Sequence, residues 1–253
     1  MKPTKACKNL EIIGKGTFAK CFAIDMGVMR VCVKVLYAGI KFKSLFFNEA
    51  EILSELCHYN IPWLHALVDD SGKTALVMTF HPYKQNAVLN IHNALYEGRE
   101  NDIGECQWKQ VLLGCTSALM YLQTKKILHN DIKSDNILIE ETTNDVRAVL
   151  IDFNKACSVE NSRLYHLSVE QQKYYTKHYP QIAPEVRRGV CRQSFASDIY
   201  AFGRVLQKIN NSVITLNTPH LLSLLELCLA ENYSMRPTAK ELHTSFTNMF
   251  SSK

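Results

Sequence analysis

Two short stretches of this chain carry polar side chains whose types and spacing suit phosphoryl transfer. Asp131, Lys133 and Asn136 stand together in ILHNDIKSDNILI, and Asp152 follows in LIDFN. Phosphoryl transfer needs positioning, a base for the attacking hydroxyl, and cations that spread the developing charge. The carboxylate of Asp152 and the amide of Asn136 offer the hard oxygen ligands that magnesium prefers. A tight loop can bring Asp131 to the nucleophile while Asn136 faces the metal.

Apolar residues flank both polar clusters. They occupy positions 127–128 and 137–139 around the first cluster and positions 149–151 before the second. Short apolar runs bounded by polar residues are typical of buried strands. The pattern therefore predicts short strands that hold a charged loop rigidly at their ends.

These stretches resemble the signature of eukaryotic-type protein kinases, whose catalytic loop reads His-Arg-Asp-x-x-x-x-Asn and whose metal loop reads Asp-Phe-Gly. The resemblance extends over almost the entire chain and implies ATP as phosphate donor and Mg²⁺ as metal. It implies that Asp131 is the catalytic base and that Lys133 neutralises charge on the γ-phosphate. Asn136 and Asp152 are implied as the metal ligands. A lysine at position 133 matches the serine/threonine form of the loop.

Residues 10–22 predict a strand, a glycine-rich turn and a second strand. Gly14 and Gly16 lack the Cβ atoms that would keep backbone N–H groups away from phosphate oxygens. The kinase form of this turn is G-x-G-x-x-G, and Ala19 stands at its third position. The resemblance implies that Gly14, Lys15 and Gly16 bind the phosphates.

A lysine within a buried apolar strand costs free energy unless it is paired. Lys34 stands in the run VCVKVL and resembles the lysine of the kinase Val-Ala-Ile-Lys strand, which binds phosphates and pairs with a helix glutamate. A helix is expected near residues 43–57, and Glu49 lies on its apolar face. Glu49 is therefore the predicted partner of Lys34 beside the nucleotide.

Residues 74–81 predict a buried strand that runs into a connector containing Pro82. By resemblance this connector is the hinge, near residues 79–83, and the backbone of Phe80 and His81 binds adenine. The resemblance also implies apolar contacts between adenine and four side chains, although plain core packing explains these residues equally well. They are Cys21, Cys32, Met78 and Leu138.

A helix is predicted from Gln107 to Gln123, because its apolar residues recur at the spacing of one helix face. The polar segment from Lys155 to Gln181 lacks periodicity and resembles an exposed activation segment. It ends at IAPE, which matches the kinase Ala-Pro-Glu element.

Ser197 is predicted to cap a further helix. By resemblance, Asp198 holds the backbone of the catalytic loop, and Arg236 pairs with Glu185. These are scaffolding roles.

The composition, 47% hydrophobic and 21% charged over 253 residues, is ordinary for a globular protein and suits a single kinase catalytic unit. The net charge of +5 is dispersed and does not indicate nucleic acid binding. No apolar run approaches the roughly 20 residues of a membrane span, and the N-terminal MKPTK lacks a signal-peptide core. Nine cysteines without a Cys-x-x-Cys pair favour an intracellular, cytoplasmic setting. Nothing indicates an oligomeric state.

Three positions depart from the kinase pattern. Asn130 replaces the arginine that receives an activation-segment phosphate in the family, so activity is expected not to require phosphorylation through this contact. Asn154 replaces a glycine, and asparagine tolerates positive φ, so the loop shape is expected to survive. Residues 177–182 fit neither serine/threonine nor tyrosine kinases, which leaves the acceptor open.

The expected architecture is α+β, a two-lobed, protein-kinase-like fold in one domain over residues 1–253. A small antiparallel sheet with one main helix should span about 1–80, and a mainly helical lobe about 83–253, with nucleotide between them. The leading hypothesis is a protein kinase that acts on serine and threonine hydroxyls of protein substrates.

Two alternatives stay open. One is a pseudokinase or nucleotide-binding scaffold without turnover, which Ala19, Asn130 and Asn154 favour. The other is a small-molecule kinase, which the Ala-Pro-Glu element and Arg236 disfavour.

Overall fold

The computed structural model describes residues 10–37, 42–70, 72–143 and 145–251. Within them the chain has the predicted α+β architecture, with a small lobe built on an antiparallel sheet and a larger, mainly helical lobe. The N-terminal MKPTK, on which the signal-peptide expectation rests, lies outside the described residues. None of the described helices is both long and apolar enough to cross a membrane.

The small lobe is an antiparallel sheet with the strand order β1-β2-β3-β5-β4. The central strand β3 pairs on both sides, as suits its alternating valines. Helix α1 (Lys43–Ser54) contacts β4 and β5 and confirms the helix predicted near 43–57. The strands are β1 (Glu11–Lys15), β2 (Ala19–Asp25), β3 (Arg30–Leu36), β4 (Leu64–Asp70) and β5 (Lys73–Thr79).

The large lobe is organised around α3 (Glu105–Thr124), which confirms the predicted helix and buries the predicted apolar face. At its N-terminus the Gly104 amide donates to the side chain of Gln107 over 2.9 Å. The other helices are α2 (Ile91–Tyr96), α4 (Val169–His178), α5 (Pro184–Arg187), α6 (Phe195–Ser212), α7 (Pro219–Cys228) and α8 (Ala239–Ser251).

Short strands in the large lobe hold the two polar loops, as the flanking apolar runs predict. β6 (Ile127–Leu128) pairs with β9 (Cys157–Ser158), and β7 (Ile137–Glu141) pairs with β8 (Val146–Leu150). The catalytic loop, residues 129–136, connects β6 to β7. The metal loop, residues 151–156, connects β8 to β9. Both loops are therefore anchored at each end by antiparallel pairing.

The prediction that Ser197 caps a helix was wrong in position. Helix α6 begins at Phe195, and its N-cap is Ser194. The Ser194 amide donates to Ser197 Oγ over 3.0 Å, and the Ser197 amide donates to Ser194 Oγ over 3.4 Å. Ser197 is thus the second half of a reciprocal cap rather than the cap itself.

The segment from 155 to 181, in which no periodicity indicated a helix, contains one. Residues 169–178 form helix α4, which buries none of its side chains. Its stability comes from its ends, where Ser168 and Gln171 form a capping box and Lys177 lies in the last turn. Because α4 buries no side chains, its sequence has no apolar stripe, and hydrophobic periodicity could not reveal it.

The predicted pair between Glu185 and Arg236 is present and buried. Two guanidinium nitrogens of Arg236 donate to the two carboxylate oxygens of Glu185, each over 2.8 Å. The Arg236 side chain is 0% exposed and also donates to the carbonyl oxygens of Ala196 and Ala230. This fork joins α5, the start of α6 and the segment before α8.

Substitution of Arg236 by alanine is expected to lower the free energy of unfolding by about 3–5 kcal/mol, because it leaves the carboxylate of Glu185 buried without its cation. Arg188→Ala is the matched control, since its bridge to Glu231 joins side chains that are 57% and 70% exposed. That change is expected to cost about 0–1 kcal/mol. Urea unfolding monitored by circular dichroism measures both values, and equal losses would contradict the assignment.

Candidate active site

A buried lysine bridges the two lobes. Lys34 Nζ lies 2.6 Å from Oε2 of Glu49 on α1 and 2.7 Å from Oδ1 of Asp152 in the metal loop. The predicted pair of Lys34 with Glu49 is thus present. Burial raises the pKa of Glu49, which is 1% exposed, while the charge of Lys34 opposes that rise. Burial disfavours the ammonium of Lys34, but the two carboxylates outweigh this and hold its pKa above the usual range.

Asp152 adopts the left-handed backbone conformation, with φ at 70°, and a single turn of 3-10 helix follows it. Asn154 does not use its tolerance of positive φ, because among the described residues of this loop only Asp152 has a positive φ. Asn154 instead donates its Nδ2 to Asp152 Oδ1 over 2.9 Å. The intervening Phe153 is fully buried and lies edge-on to the ring of His129, 4.7 Å away. These contacts orient the carboxylate of Asp152.

Asp198 holds the catalytic loop through backbone amides, as the resemblance implies. Its two carboxylate oxygens accept from the amides of His129 and Asn130 over 2.8 and 3.0 Å. Burial raises the pKa of Asp198 to about 6, although both amides favour the charged form. The carboxylate is therefore ionised at neutral pH and fixes the backbone next to Asp131.

The carboxylate of Asp131 is held by three donors. Lys155 Nζ lies 2.9 Å from Oδ1, and Lys133 Nζ lies 3.3 Å from Oδ2. Asn136 Nδ2 donates to Oδ2 over 3.1 Å and to the backbone oxygen of Asp131 over 2.9 Å. Burial raises the pKa of Asp131, but the charges of Lys155 and Lys133 outweigh it and leave the pKa below its usual value.

Lys155 was not among the predicted site residues. The signal for it in the sequence is a cation directly after the Asp-Phe-Asn tripeptide of the metal loop. It lies in a segment that was interpreted only as exposed. The structure shows that its backbone oxygen accepts from Asn130 Nδ2 over 3.1 Å, and that the same Nδ2 lies 3.2 Å from Cys157 Sγ. Asn130 has φ at 64°. Asn130 therefore joins the catalytic loop to the chain after the metal loop with neutral hydrogen bonds.

The chain offers two oxygen atoms suited to a magnesium ion. Asn136 uses its Nδ2 for Asp131, which leaves Oδ1 as its acceptor. Asp152 uses Oδ1 for Lys34 and Asn154, which leaves Oδ2. Magnesium takes one or two protein oxygens and completes its octahedron with phosphate oxygens and water. The residues present fit such an ion together with a nucleotide.

Nothing in the fold itself requires glycine at positions 14 and 16. A Cβ at Gly14 would lie 3.7 Å from the Cβ of Cys21, and one at Gly16 would lie 3.8 Å from the Ala19 oxygen. Both are ordinary contacts, and neither residue has a positive φ. The side chain of Lys15 is exposed, so only its backbone is placed with theirs.

The predicted hinge residues Phe80 and His81 follow directly after β5. The side chain of His81 turns to the large lobe, where Nδ1 lies 2.9 Å from Oε2 of Glu140, and Arg147 donates to the same oxygen. This His81–Glu140–Arg147 cluster was not foreseen from the sequence.

The apolar residues expected around adenine lie on both lobes. Cys21 on β2 and Cys32 on β3 are half-buried, and Met78 on β5 is buried. Leu138 on β7 is half-buried and belongs to the large lobe. The placement of these residues on both lobes agrees with apolar contacts on two sides of an adenine ring. Core packing still accounts equally well for Met78.

Residues 7–218 match the sequence model of the family described as "Protein kinase domain". The L-type lectin-domain containing receptor kinase VIII.1 of Arabidopsis thaliana is 28% identical over 81% of this chain and 28% of its own length. The serine/threonine-protein kinase polo of Drosophila melanogaster is 28% identical over 80% of this chain and 33% of its own. A tyrosine-protein kinase of Girardia tigrina is 24% identical over 80% and 39%. The chain spans less than half the length of each of these three relatives.

Replacement of Lys155 by methionine is expected to raise the pKa of Asp131, because it removes the cation nearest to Oδ1 while the burial stays. Protonation of Asp131 then occurs at higher pH than in the natural chain. Carbon-13 NMR titration of the Asp131 carboxyl measures the midpoint, and Lys173→Met, an exposed lysine on α4, is the control. An unchanged midpoint in the Lys155 variant would show that the contact contributes nothing in solution.

Proposed function

The chain belongs to the protein kinase domain family, and we propose that it transfers the γ-phosphate of ATP to a hydroxyl group of a protein substrate. The observation that carries this proposal is the meeting of residues from distant parts of the chain. Lys34 bonds Glu49 and Asp152 at one point, and Asp131 bonds Asn136 and Lys133 at another. A role in packing alone would not require so many charged and polar groups that find partners in distant parts of the chain.

In this proposal the small lobe holds the triphosphate. Lys34 is kept in place by two carboxylates, so its ammonium stands ready for phosphate oxygens without a large change of position. Gly14, Lys15 and Gly16 would present backbone amides to the phosphates. Asn136 and Asp152 would hold Mg²⁺, which spreads charge on the transferred group when it is bound.

The proton of the acceptor hydroxyl would pass to Asp131. Its pKa below the usual range means that the carboxylate is ionised at neutral pH and ready to accept a hydrogen bond from the acceptor. A loose transition state with little early proton transfer demands orientation of the hydroxyl more than a strong base. Lys133 would move between Asp131 and the γ-phosphate as charge develops there.

We propose serine and threonine as the acceptors, on the basis of Lys133 in the catalytic loop. The printed names of the relatives include both serine/threonine and tyrosine kinases, so the comparisons support only the protein kinase reaction. The cysteine pattern of the sequence further suggests an intracellular, cytoplasmic setting.

A second candidate is a kinase-like scaffold without turnover. One observation favours it: Lys155 Nζ occupies Oδ1 of Asp131, the carboxylate that an acceptor hydroxyl would need. Ala19, Asn130 and Asn154 are the departures from the kinase pattern on which this alternative also rests. A scaffold would bind nucleotide and show thermal stabilisation by it, with no transfer of phosphate.

Asp131→Asn is expected to lower phosphate transfer roughly 100- to 10,000-fold, the usual contribution of a general base, while nucleotide binding persists. Radiolabel transfer from ATP and magnesium to a generic protein substrate measures the first quantity, and nucleotide-dependent thermal stabilisation measures the second. Asp135→Asn is the matched control, because Asp135 is an exposed aspartate of the same loop. Transfer by the Asp131 variant at the natural rate would refute the base assignment, and stabilisation without any transfer by the natural chain would favour the scaffold.

Treatment with a protein phosphatase is expected to leave turnover unchanged. Asn130 is neutral, and its amide nitrogen is engaged by Lys155 and Cys157, so no charged fork is available here for an activation-segment phosphate. Radiolabel transfer before and after treatment, with mock-treated protein as control, tests this expectation. Loss of turnover after removal of phosphate would contradict it.

A further inference from the structure

A cavity of about 200 Å³ adjoins the catalytic base, between the catalytic loop, the activation segment and helices α5 and α6. Three tyrosines, Tyr165, Tyr175 and Tyr179, contribute to its wall. The cavity also reaches Arg187 on α5. A substrate chain whose hydroxyl lies against Asp131 would have to place a neighbouring residue here.

One of the two cationic side chains that line this cavity lacks a charged partner among the described residues. The carboxylate of Asp131 is matched by the ammonium groups of Lys133 and Lys155. Asp198 is buried and turns both oxygens to backbone amides. Arg187 is half-buried and forms no ion pair with any carboxylate of the described residues.

The neighbouring arginine provides a contrast. Arg188 is exposed and donates to Glu231 over 2.9 Å, and it does not line the cavity. A guanidinium that lacks a protein partner and is partly shielded from water interacts more strongly with an incoming anion than an exposed, paired one. The planar guanidinium can donate two parallel hydrogen bonds to either a carboxylate or a phosphate.

We propose that this cavity selects protein substrates that carry an anionic group, a carboxylate or a phosphate, on a residue adjacent to the acceptor, with Arg187 as the specificity-determining residue. The inference rests on the proposed function, since it concerns the acceptor side of the same site.

The test uses peptides with one acceptor serine and with aspartate, phosphoserine, alanine or lysine at each neighbouring position in turn. The natural chain is expected to prefer an anion over lysine at one position by roughly tenfold in kcat/KM, as one half-buried ion pair supplies. Arg187→Glu is expected to invert the preference, and Arg187→Gln to abolish it. Arg188→Glu is the matched control and keeps the preference of the natural chain. A response to phosphoserine alone identifies phosphate as the source of the anion, and a response to aspartate identifies carboxylate.

Binding of the same peptides in the presence of a non-hydrolysable ATP analogue repeats the comparison without turnover. Anion-selective binding that Arg187→Glu inverts, with no transfer to any peptide, would support this inference and contradict the proposed function. Equal kcat/KM and equal binding for acidic and basic peptides would overturn the inference and leave phosphate transfer standing. Identical effects of Arg187→Glu and Arg188→Glu would overturn it too.

Discussion

The contact of one ammonium with two carboxylates across the lobe boundary is the interaction on which the site depends. Each charge buried without a partner costs several kcal/mol, so Glu49 can stay buried on α1 only while Lys34 stands beside it. Asp152 belongs to the other lobe and shares the same ammonium. The positions of β3, α1 and the metal loop are therefore coupled through a single nitrogen atom. Displacement of β3 would leave both carboxylates without their cation, and displacement of α1 or of the metal loop would remove one of the two carboxylates from the ammonium.

Hydrogen bonds around the catalytic loop complement this charged centre. The carboxylate of Asp198 accepts hydrogen bonds from two backbone amides, and the side chain of Asn130 donates one to the carbonyl oxygen of Lys155. That carbonyl bond keeps the ammonium of Lys155 within reach of Asp131. Asn130 and Lys155 thus act together. The chain has a neutral residue at position 130, where the kinase pattern has an arginine, and it has a cation at position 155.

The sequence predicts those parts of the fold that are marked by hydrophobic periodicity or by a strong motif. The apolar face of α3 follows from hydrophobic periodicity, and the pair of Lys34 with Glu49 follows from the cost of burying an unpaired lysine. The fork of Arg236 on Glu185 was implied by the resemblance to protein kinases. Helix α4 could not be found by periodicity, since it buries nothing and depends on its caps. Lys155 and the His81–Glu140–Arg147 cluster depend on contacts between residues far apart in the chain, which spacing does not encode. The roles of the site residues toward ATP and metal stay predictions.

The cluster at His81 has a mechanical consequence. His81 follows the last strand of the small lobe, yet its ring is bonded to Glu140 on β7, the strand that also carries Leu138. The C-terminal part of the connector and the β7–β8 hairpin are therefore one rigid piece. A movement of one lobe relative to the other would bend the chain on the N-terminal side of His81, near Thr79 and Phe80. The contact of the His81 side chain with Glu140 thus decides where the connector would bend.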